Sequence, residues 1–306
     1  MNKTLFLSLF AFQQLIAQDI IDVYHCYGNA QKLHLEGRVF DKREFQETKK
    51  EDSTLLNLWR KIGHIFNDER KNVPLTLTVD KHTFHTSTDD EGYFLFDLDF
   101  PQKTLKSNHP IYLQLGKQKD VKTVCYTFVP STDKQVGIIS DFDDTVIISD
   151  VTNKLKLLNQ LLFKNYKQRE AVKGMSEWYN EILKDTPDKA LFFITGSPNQ
   201  LHAVVEKFLD YHNFPKRSLI TKKIHGDKAY SLLKQQNYKG EQIIDLITLY
   251  PNIRWILFGD SGEYDREIYL DIATKYPKHI KEIYIRDVQQ GNIERVFPLN
   301  TSALTR

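Results

Sequence analysis

At 306 residues the chain is long enough for one large domain or two ordinary ones, and 41% hydrophobic with 27% charged residues is the composition of a globular protein. Its formal net charge is +2, with the signs mixed along the chain and no basic stripe. That argues against nucleic acid as a partner, and the sign-balanced run from Lys49 to Asp52 reads as a solvated face.

The chain opens with Lys3, an apolar stretch from Leu5 to Phe12, then Leu15, Ile16, Ala17 and the polar pair Gln18-Asp19. This is the pattern of a secretory signal peptide, so residues 1–18 are expected to be a leader and the chain to be exported, periplasmic or extracellular. An apolar run of roughly a dozen residues is short of the about 20 that a membrane helix needs. The alternative is a cytoplasmic protein beginning with a strand or helix, since Leu15 stands where a small residue is preferred.

From Tyr24 to Pro130 short alternating stretches follow one another: Leu33 to Phe40, Pro74 to Val79, Tyr93 to Phe100, Ile111 to Leu115 and Val121 to Val129. Turn residues such as Asp89-Asp90-Glu91-Gly92 separate them, and the pattern predicts a small β-sandwich over 19–132. One helix interrupts it, with Leu55, Trp59, Ile62 and Phe66 at helical spacing and Ser53 as its cap. The two cysteines, Cys26 and Cys125, fall near the two ends of this region; their spacing leaves a disulfide and two buried thiols equally open. No zinc-type Cys/His spacing occurs, and His64, His82, His85 and His225 read as ordinary surface or core residues.

From Val136 the pattern becomes strands alternating with helices. Apolar runs at Val136 to Ile139, Ala190 to Ile194, Trp255 to Phe258 and Ile283 to Ile285 are separated by helix-like stretches such as Gln200 to Leu209 and Glu241 to Leu249. Such a chain is α/β, with a Rossmann-like parallel sheet covered on both faces, here over 133–306. Ligands of such sheets bind at the carboxyl ends of the strands.

Those ends carry the chemistry. The first strand runs into Ser140-Asp141-Phe142-Asp143-Asp144-Thr145, where crowded carboxylates call for a cation. A calcium loop starting at Asp141 fails, because its sixth and twelfth positions hold Val146 and Thr152 instead of Gly and Glu. The second strand ends in Thr195-Gly196-Ser197-Pro198 and the third in Gly259-Asp260-Ser261-Gly262-Glu263-Tyr264-Asp265. Between them Lys239 opens a helix with Ile243, Leu246, Ile247 and Tyr250 at helical spacing; Lys222, Lys223, Lys228 and Lys234 are its rivals. No Gly-x-Gly-x-x-Gly follows a strand and no Gly-Lys-Ser/Thr element occurs, which sets aside a dinucleotide enzyme and a P-loop enzyme.

In this order Asp141-x-Asp143-x-Thr145, Thr195, Lys239 and Gly259-Asp260 with Asp265 resemble the four-motif signature of the haloacid dehalogenase-like superfamily. Thr195-Gly196-Ser197-Pro198, Gly259-Asp260-Ser261-Gly262, Asp265-Arg266-Glu267-Ile268-Tyr269 and Ile285-Arg286-Asp287 look like its actin-patch-type phosphatidate phosphatase family. Gly37-Arg38-Val39 and Asp90-Glu91-Gly92-Tyr93-Phe94 are similar, more loosely, to that family's β domain. Fungal members act inside the cell, whereas this chain carries an export-type leader.

The resemblance implies a magnesium-dependent phosphatase of phosphatidate or another phosphomonoester. Asp141 would be the nucleophile and Asp143 the acid and base. Thr195 and Lys239 would bind phosphate, and Asp141, the Asp143 main chain and Asp260 would hold Mg2+. Thr145, Gly196 and Ser197 would support the loops, and Asp265 would be either a group near the metal or a clamp on Lys239. Between Asp150 and Met175, Leu155, Leu157, Leu158, Leu161, Leu162 and Phe163 among lysines form either a lipid-facing cap in peripheral contact with a membrane or a helix packed on the sheet. A soluble nucleotide or sugar phosphate as substrate, and a catalytically idle binding protein, are the alternatives to phosphatidate hydrolysis.

Overall fold

A computed structural model describes residues 19–41, 70–116, 122–131, 133, 135–148, 166–186, 189–223 and 235–298. The expected leader, the helix over Leu55 to Phe66, most of the Leu/Lys-rich segment after Asp150, and His64, His225, Lys228 and Lys234 lie outside them. The described chain is mixed α/β and is built on three sheets.

Seven strands come first: β1 (Asp19–Gly28), β2 (Lys32–Asp41), β3 (Pro74–Val79), β4 (His82–Ser87), β5 (Tyr93–Asp99), β6 (Pro110–Leu115) and β7 (Lys122–Tyr126). They form two antiparallel sheets, ordered β1-β2-β5 and β4-β3-β6-β7. Period-two alternation decides which way each faces. Leu75, Leu77 and Val79 of β3 and Ile111, Leu113 and Leu115 of β6 point inward, and Leu33, Leu35, Phe94 and Phe96 meet them from the other sheet in one apolar core. Each such side chain contributes about 1.5–3 kcal/mol by leaving water. The turn into β5 is held by Asp89, whose Oδ1 accepts the N–H groups of Glu91 and Tyr93, both at 2.9 Å. Gly92 sits there at φ +78°, where a side chain is disfavoured. β1 and β4 were not expected from the sequence, and the last predicted strand shrinks to Lys122–Tyr126.

The second half runs β8 (Gln135–Ser140), α1 (Met175–Ile182), β9 (Leu191–Pro198), α2 (His202–Tyr211), β10 (Ser218–Lys222), α3 (Gln235–Leu249), β11 (Ile253–Asp260), α4 (Asp265–Lys275), β12 (Ile280–Arg286) and β13 (Ile293–Phe297). One sheet collects its strands in the order β10-β9-β8-β11-β12-β13. All pair in parallel except β13, an antiparallel edge that the parallel pattern did not foretell. One face packs on α3 and α4 through Ile243, Ile247, Tyr269 and Ile272, and the other on α1 and α2 through Tyr179, Val205 and Phe208. Two-sided burial is why these strands read as continuous apolar runs. α3 begins earlier than expected, at Gln235, so Lys239 lies one turn inside the helix instead of at its start.

The two halves share packing. Tyr27 and Phe128 join the core under β9 beside Phe192, and the Tyr250 hydroxyl donates to the Gly28 carbonyl at 2.7 Å. His202, at the head of α2, lies against Tyr24 and His25, with ring centres 5.6 and 6.1 Å away.

Two predictions follow from this packing. Cys26 and Cys125 lie on the edge strands of opposite sheets with their sulfurs 3.0 Å apart. Oxidation of the purified chain is expected to link them and to raise stability by about 2–4 kcal/mol in urea titrations, and Cys125→Ser to remove the gain. Burial, with His25 beside it, pushes His202 down to about 3. It therefore stays neutral in the fold while the unfolded chain takes up a proton below about 6.5, so its contribution is full above that pH and is lost as pH falls. Stability should drop by up to about 1.4 kcal/mol per unit between pH 6.5 and 3, and His202→Asn should flatten that slope in unfolding midpoints.

Candidate active site

The carboxyl ends of β8, β9 and β11 meet at the middle of the large sheet, where Asp141 follows β8, Thr195 lies in the last stretch of β9 before Pro198, and Asp260 ends β11. After Ser140 the chain leaves β8 in a tight loop whose apolar members, Phe142 and Val146, plug into the core. The Asp141 N–H donates to the Phe258 carbonyl at 2.8 Å, the Val146 N–H to Phe142 at 3.2 Å, and Asp144 takes φ +59°. Arg286, at the end of β12, donates from Nη1 to the Asp144 carbonyl at 2.7 Å. With its apolar members anchored, the loop presents Asp141, Asp143 and Thr145 together.

Lys239 is the centre of the cluster. Its ammonium, 2% exposed, donates to Asp141 Oδ1 at 3.0 Å, to Glu263 Oε2 at 3.4 Å and to Asp265 Oδ1. Thr145 Oγ1 donates to the other oxygen of Asp141 at 3.2 Å. Asp265 uses its second oxygen on the Asp260 N–H at 3.3 Å. Its close approach needs Gly259, where an added Cβ would come within 2.6 Å of Asp265. Asp260 Oδ1 accepts the N–H groups of Gly262 and Glu263 at 2.6 and 3.1 Å, while its Oδ2 is buried without a partner.

On the β9 side the Thr195 hydroxyl donates to Asp143 Oδ2 at 2.8 Å and that of Ser197 to the same oxygen at 3.3 Å. The Ser197 N–H in turn donates to Thr195 Oγ1 at 3.0 Å. Asp143 Oδ1 is buried and unpartnered. All the singled-out side chains, Asp141, Asp143, Thr145, Thr195, Ser197, Lys239, Asp260 and Asp265, are thus brought into one polar nest, with Gly196 in its turn. The rivals Lys222 and Lys223 are drawn elsewhere: Lys222 lies over Tyr238, and Lys223 pairs with Asp89 at 2.5 Å.

Crowding governs the electrostatics. Burial, followed by the neighbouring carboxylates and against the pull of Lys239, raises Asp141 well above the usual carboxylate range. Burial, then Asp265, raises Asp260 to about 8, and burial raises Asp143 to about 6 against the Thr195 hydrogen bond. Burial would lower Lys239, but Asp141 and Asp265 outweigh it and the net shift is upward. Carboxylate oxygens of Asp141, Asp260 and Asp265 lie within 4.8 Å of one another. An all-oxygen donor set with an orphaned Asp260 oxygen fits a hard divalent cation such as magnesium.

Sequence reasoning did not single out three charged neighbours. Glu263 belongs to the acidic cluster after β11, and Arg286 to the Ile285-Arg286-Asp287 stretch that ends β12. Arg169 is buried beside Asp143 and lies in no motif; burial lowers it to about 10.

Residues 136–287 match the family described as phosphatidate phosphatase APP1, catalytic domain. The protein named phosphatidate phosphatase APP1 of Saccharomyces cerevisiae is 29% identical over 215 residues, which is 69% of this chain and 36% of that protein. An uncharacterized protein of Schizosaccharomyces pombe is 28% identical over 211 residues, 67% of this chain and 34% of its own length. The matched region is thus little more than a third of these relatives. A carbohydrate acetylesterase of Xanthomonas citri overlays at 9% identity with a TM-score of 0.29, covering 88% of this chain and 68% of the other, which carries no argument about the fold.

Removing the ammonium while leaving its acids buried should be costly. Lys239→Met is expected to destabilise the chain by about 3–5 kcal/mol in urea unfolding with chelator present, and added magnesium to restore part of the loss.

Proposed function

Residues 136–287 belong to the phosphatidate phosphatase APP1 catalytic-domain family, and from that premise we propose that the chain is a magnesium-dependent phosphatidate phosphatase working through an aspartyl-phosphate. The observation that carries the reading is the convergence of Asp141, Asp143, Thr195, Lys239 and Asp260 in one buried nest at the strand ends. With a divalent cation held by its acids, such a nest would suit an anionic ester, because the Lys239 and Thr195 donors are already arranged before the ester arrives.

Asp141 is the nucleophile. Lys239 and Thr145 each hold one of its oxygens, which fixes the carboxylate for in-line attack on phosphorus. As the new bond from Asp141 to phosphorus forms, the bond from phosphorus to the ester oxygen breaks, and Asp143 gives that oxygen a proton. Asp143 then takes a proton from the water that attacks phosphorus, releasing phosphate and restoring Asp141. Thr195 and Lys239 hold the remaining phosphate oxygens through both displacements. Held by Asp141, the Asp143 main-chain carbonyl and Asp260, magnesium would supply the positive charge that lets an anionic nucleophile meet an anionic phosphate. Asp265, with one oxygen on Lys239 and the other on the Asp260 N–H, serves as the lysine's clamp.

The haloacid dehalogenase-like assignment of 133–306 is supported by the central β9-β8-β11 arrangement with helices on both faces. The β-sandwich assignment of 19–132 is supported by the shared core of the two antiparallel sheets. Export rests on the pattern from Lys3 to Ala17. Phosphatidate as the substrate, and with it peripheral contact with a lipid surface, rests on the name of the budding-yeast relative.

The test is phosphate release from short-chain phosphatidate and, in parallel, from a soluble phosphomonoester. Release from phosphatidate should require magnesium and fall by about 10³-fold or more in Asp141→Asn. Activity on the soluble ester alone would move the substrate away from lipid, and full activity of Asp141→Asn would overturn the mechanism.

A further inference from the structure

His25 on β1 and Glu36 on β2 are cross-strand partners and therefore share one face of the N-terminal sheet. That face is turned toward the large sheet. His25 Nδ1 lies 3.5 Å from Glu36 Oε2, and Glu36 Oε1 accepts from Asn199 Nδ2 at 3.3 Å. Asn199 Oδ1 accepts from Thr221 Oγ1 at 2.6 Å, and the Thr221 N–H donates to His25 Nε2 at 3.2 Å. The four residues close a ring, three links of which are hydrogen bonds and the fourth the His25–Glu36 contact, drawn from β1, β2, the turn after β9 and the end of β10. His25, Asn199 and Thr221 are 3%, 1% and 1% exposed, so water does not replace a lost partner easily.

The ring adjoins the nest at two places. Asn199 stands two residues after Ser197, whose hydroxyl is on Asp143. The Thr221 carbonyl accepts the Tyr238 hydroxyl at 2.8 Å, and the next residue is Lys239. Of the groups assigned to phosphate, the Thr195–Ser197 turn therefore ends two residues before ring member Asn199, and Lys239 is next in sequence to Tyr238, which the ring holds.

A metal is the other use for this cluster, since ligand atoms of His25, His34 and Glu36 lie within 4.8 Å. The hydrogen bonds oppose it. With His25 Nε2 accepting the Thr221 N–H, the ring hydrogen sits on Nδ1 and points at Glu36, and no lone pair is left for a cation. Glu36 is held below the usual carboxylate range: burial acts to raise it, but the His25 hydrogen bond and nearby positive charge outweigh that effect.

We propose that Glu36 and His25 of the N-terminal sheet are positioning residues for the phosphate site, acting through Asn199 on the Thr195–Ser197 turn and through Thr221 and Tyr238 on Lys239. This rests on the reading of Thr195 and Lys239 as phosphate-binding groups. It makes the N-terminal sheets a working part of the catalytic centre, since the carboxylate that holds Asn199 comes from β2.

The experiment compares full-length wild type, Glu36→Ala, Asn199→Ala and the double variant on a soluble phosphomonoester with magnesium, with amide hydrogen exchange on the same samples. Each single change should lower kcat by about 10- to 100-fold and change KM by less than about threefold, because small misplacements act on the transition state. The double variant should lose no more than the worse single one. Exchange should quicken over 195–199 and 219–222 with protection in β3 and β6 unchanged. If Glu36→Ala does not fold, Asn199→Ala enters the ring from the other side and should give the same exchange signature. Losses that multiply in the double variant, or exchange over 195–199 equal to wild type, would overturn the proposal. A wild type that releases no phosphate would sink the phosphatase reading, and the exchange comparison would still decide the positioning.

Discussion

An ammonium buried among Asp141, Asp265 and Glu263 is the constraint around which the catalytic half is organised. Taking such charges out of water costs several kcal/mol per ion, and their attraction repays it only where geometry is good and the remaining polar atoms are bonded. The fold provides that geometry with rigid parts. α3 brings Lys239, α4 begins at Asp265, β11 ends beside them at Asp260, and Asp141 is the first residue after β8. Gly259 leaves room for Asp265 against the strand, and Asp265 is tied down by Lys239 and by the Asp260 N–H.

The same balance leaves more acids than one ammonium can pair, and the surplus acids tend to keep their protons. One ammonium faces several acids, and burial raises Asp141, Asp143 and Asp260 above the ordinary carboxylate range. A site in that condition would be relieved by a divalent cation, and that charge balance is what joins the nest to the proposed phosphoryl chemistry. Arg286 on Asp144 and buried Arg169 near Asp143 add positive charge beside the nucleophile loop.

The strand ends were legible because Asp141, Thr195 and Asp260 each follow an apolar run, and a parallel sheet gathers such ends at one edge. Lys239 stands at the head of a helical apolar pattern, although the helix itself begins four residues earlier, at Gln235. The β3 and β6 alternation was equally plain, since each strand buries one face. What stayed hidden has a common cause. β4 is polar and half exposed, β10 is a five-residue strand, and β13 owes its place to pairing with β12. None of these carries enough periodic signal of its own to stand out locally.

Residue types at strand ends, and the order in which they occur, were determined by the sequence alone, because a local run of apolar residues followed by acids needs no distant partner to be recognised. Tertiary structure decided which groups share a proton or a charge. Glu36 and Asn199 are 163 positions apart, Cys26 and Cys125 are 99, and Asp141 and Lys239 are 98. Hydrogen bonds and ion pairs act over about 3 Å, so contacts between such distant positions exist only once the sheets have packed and their twist and register are set.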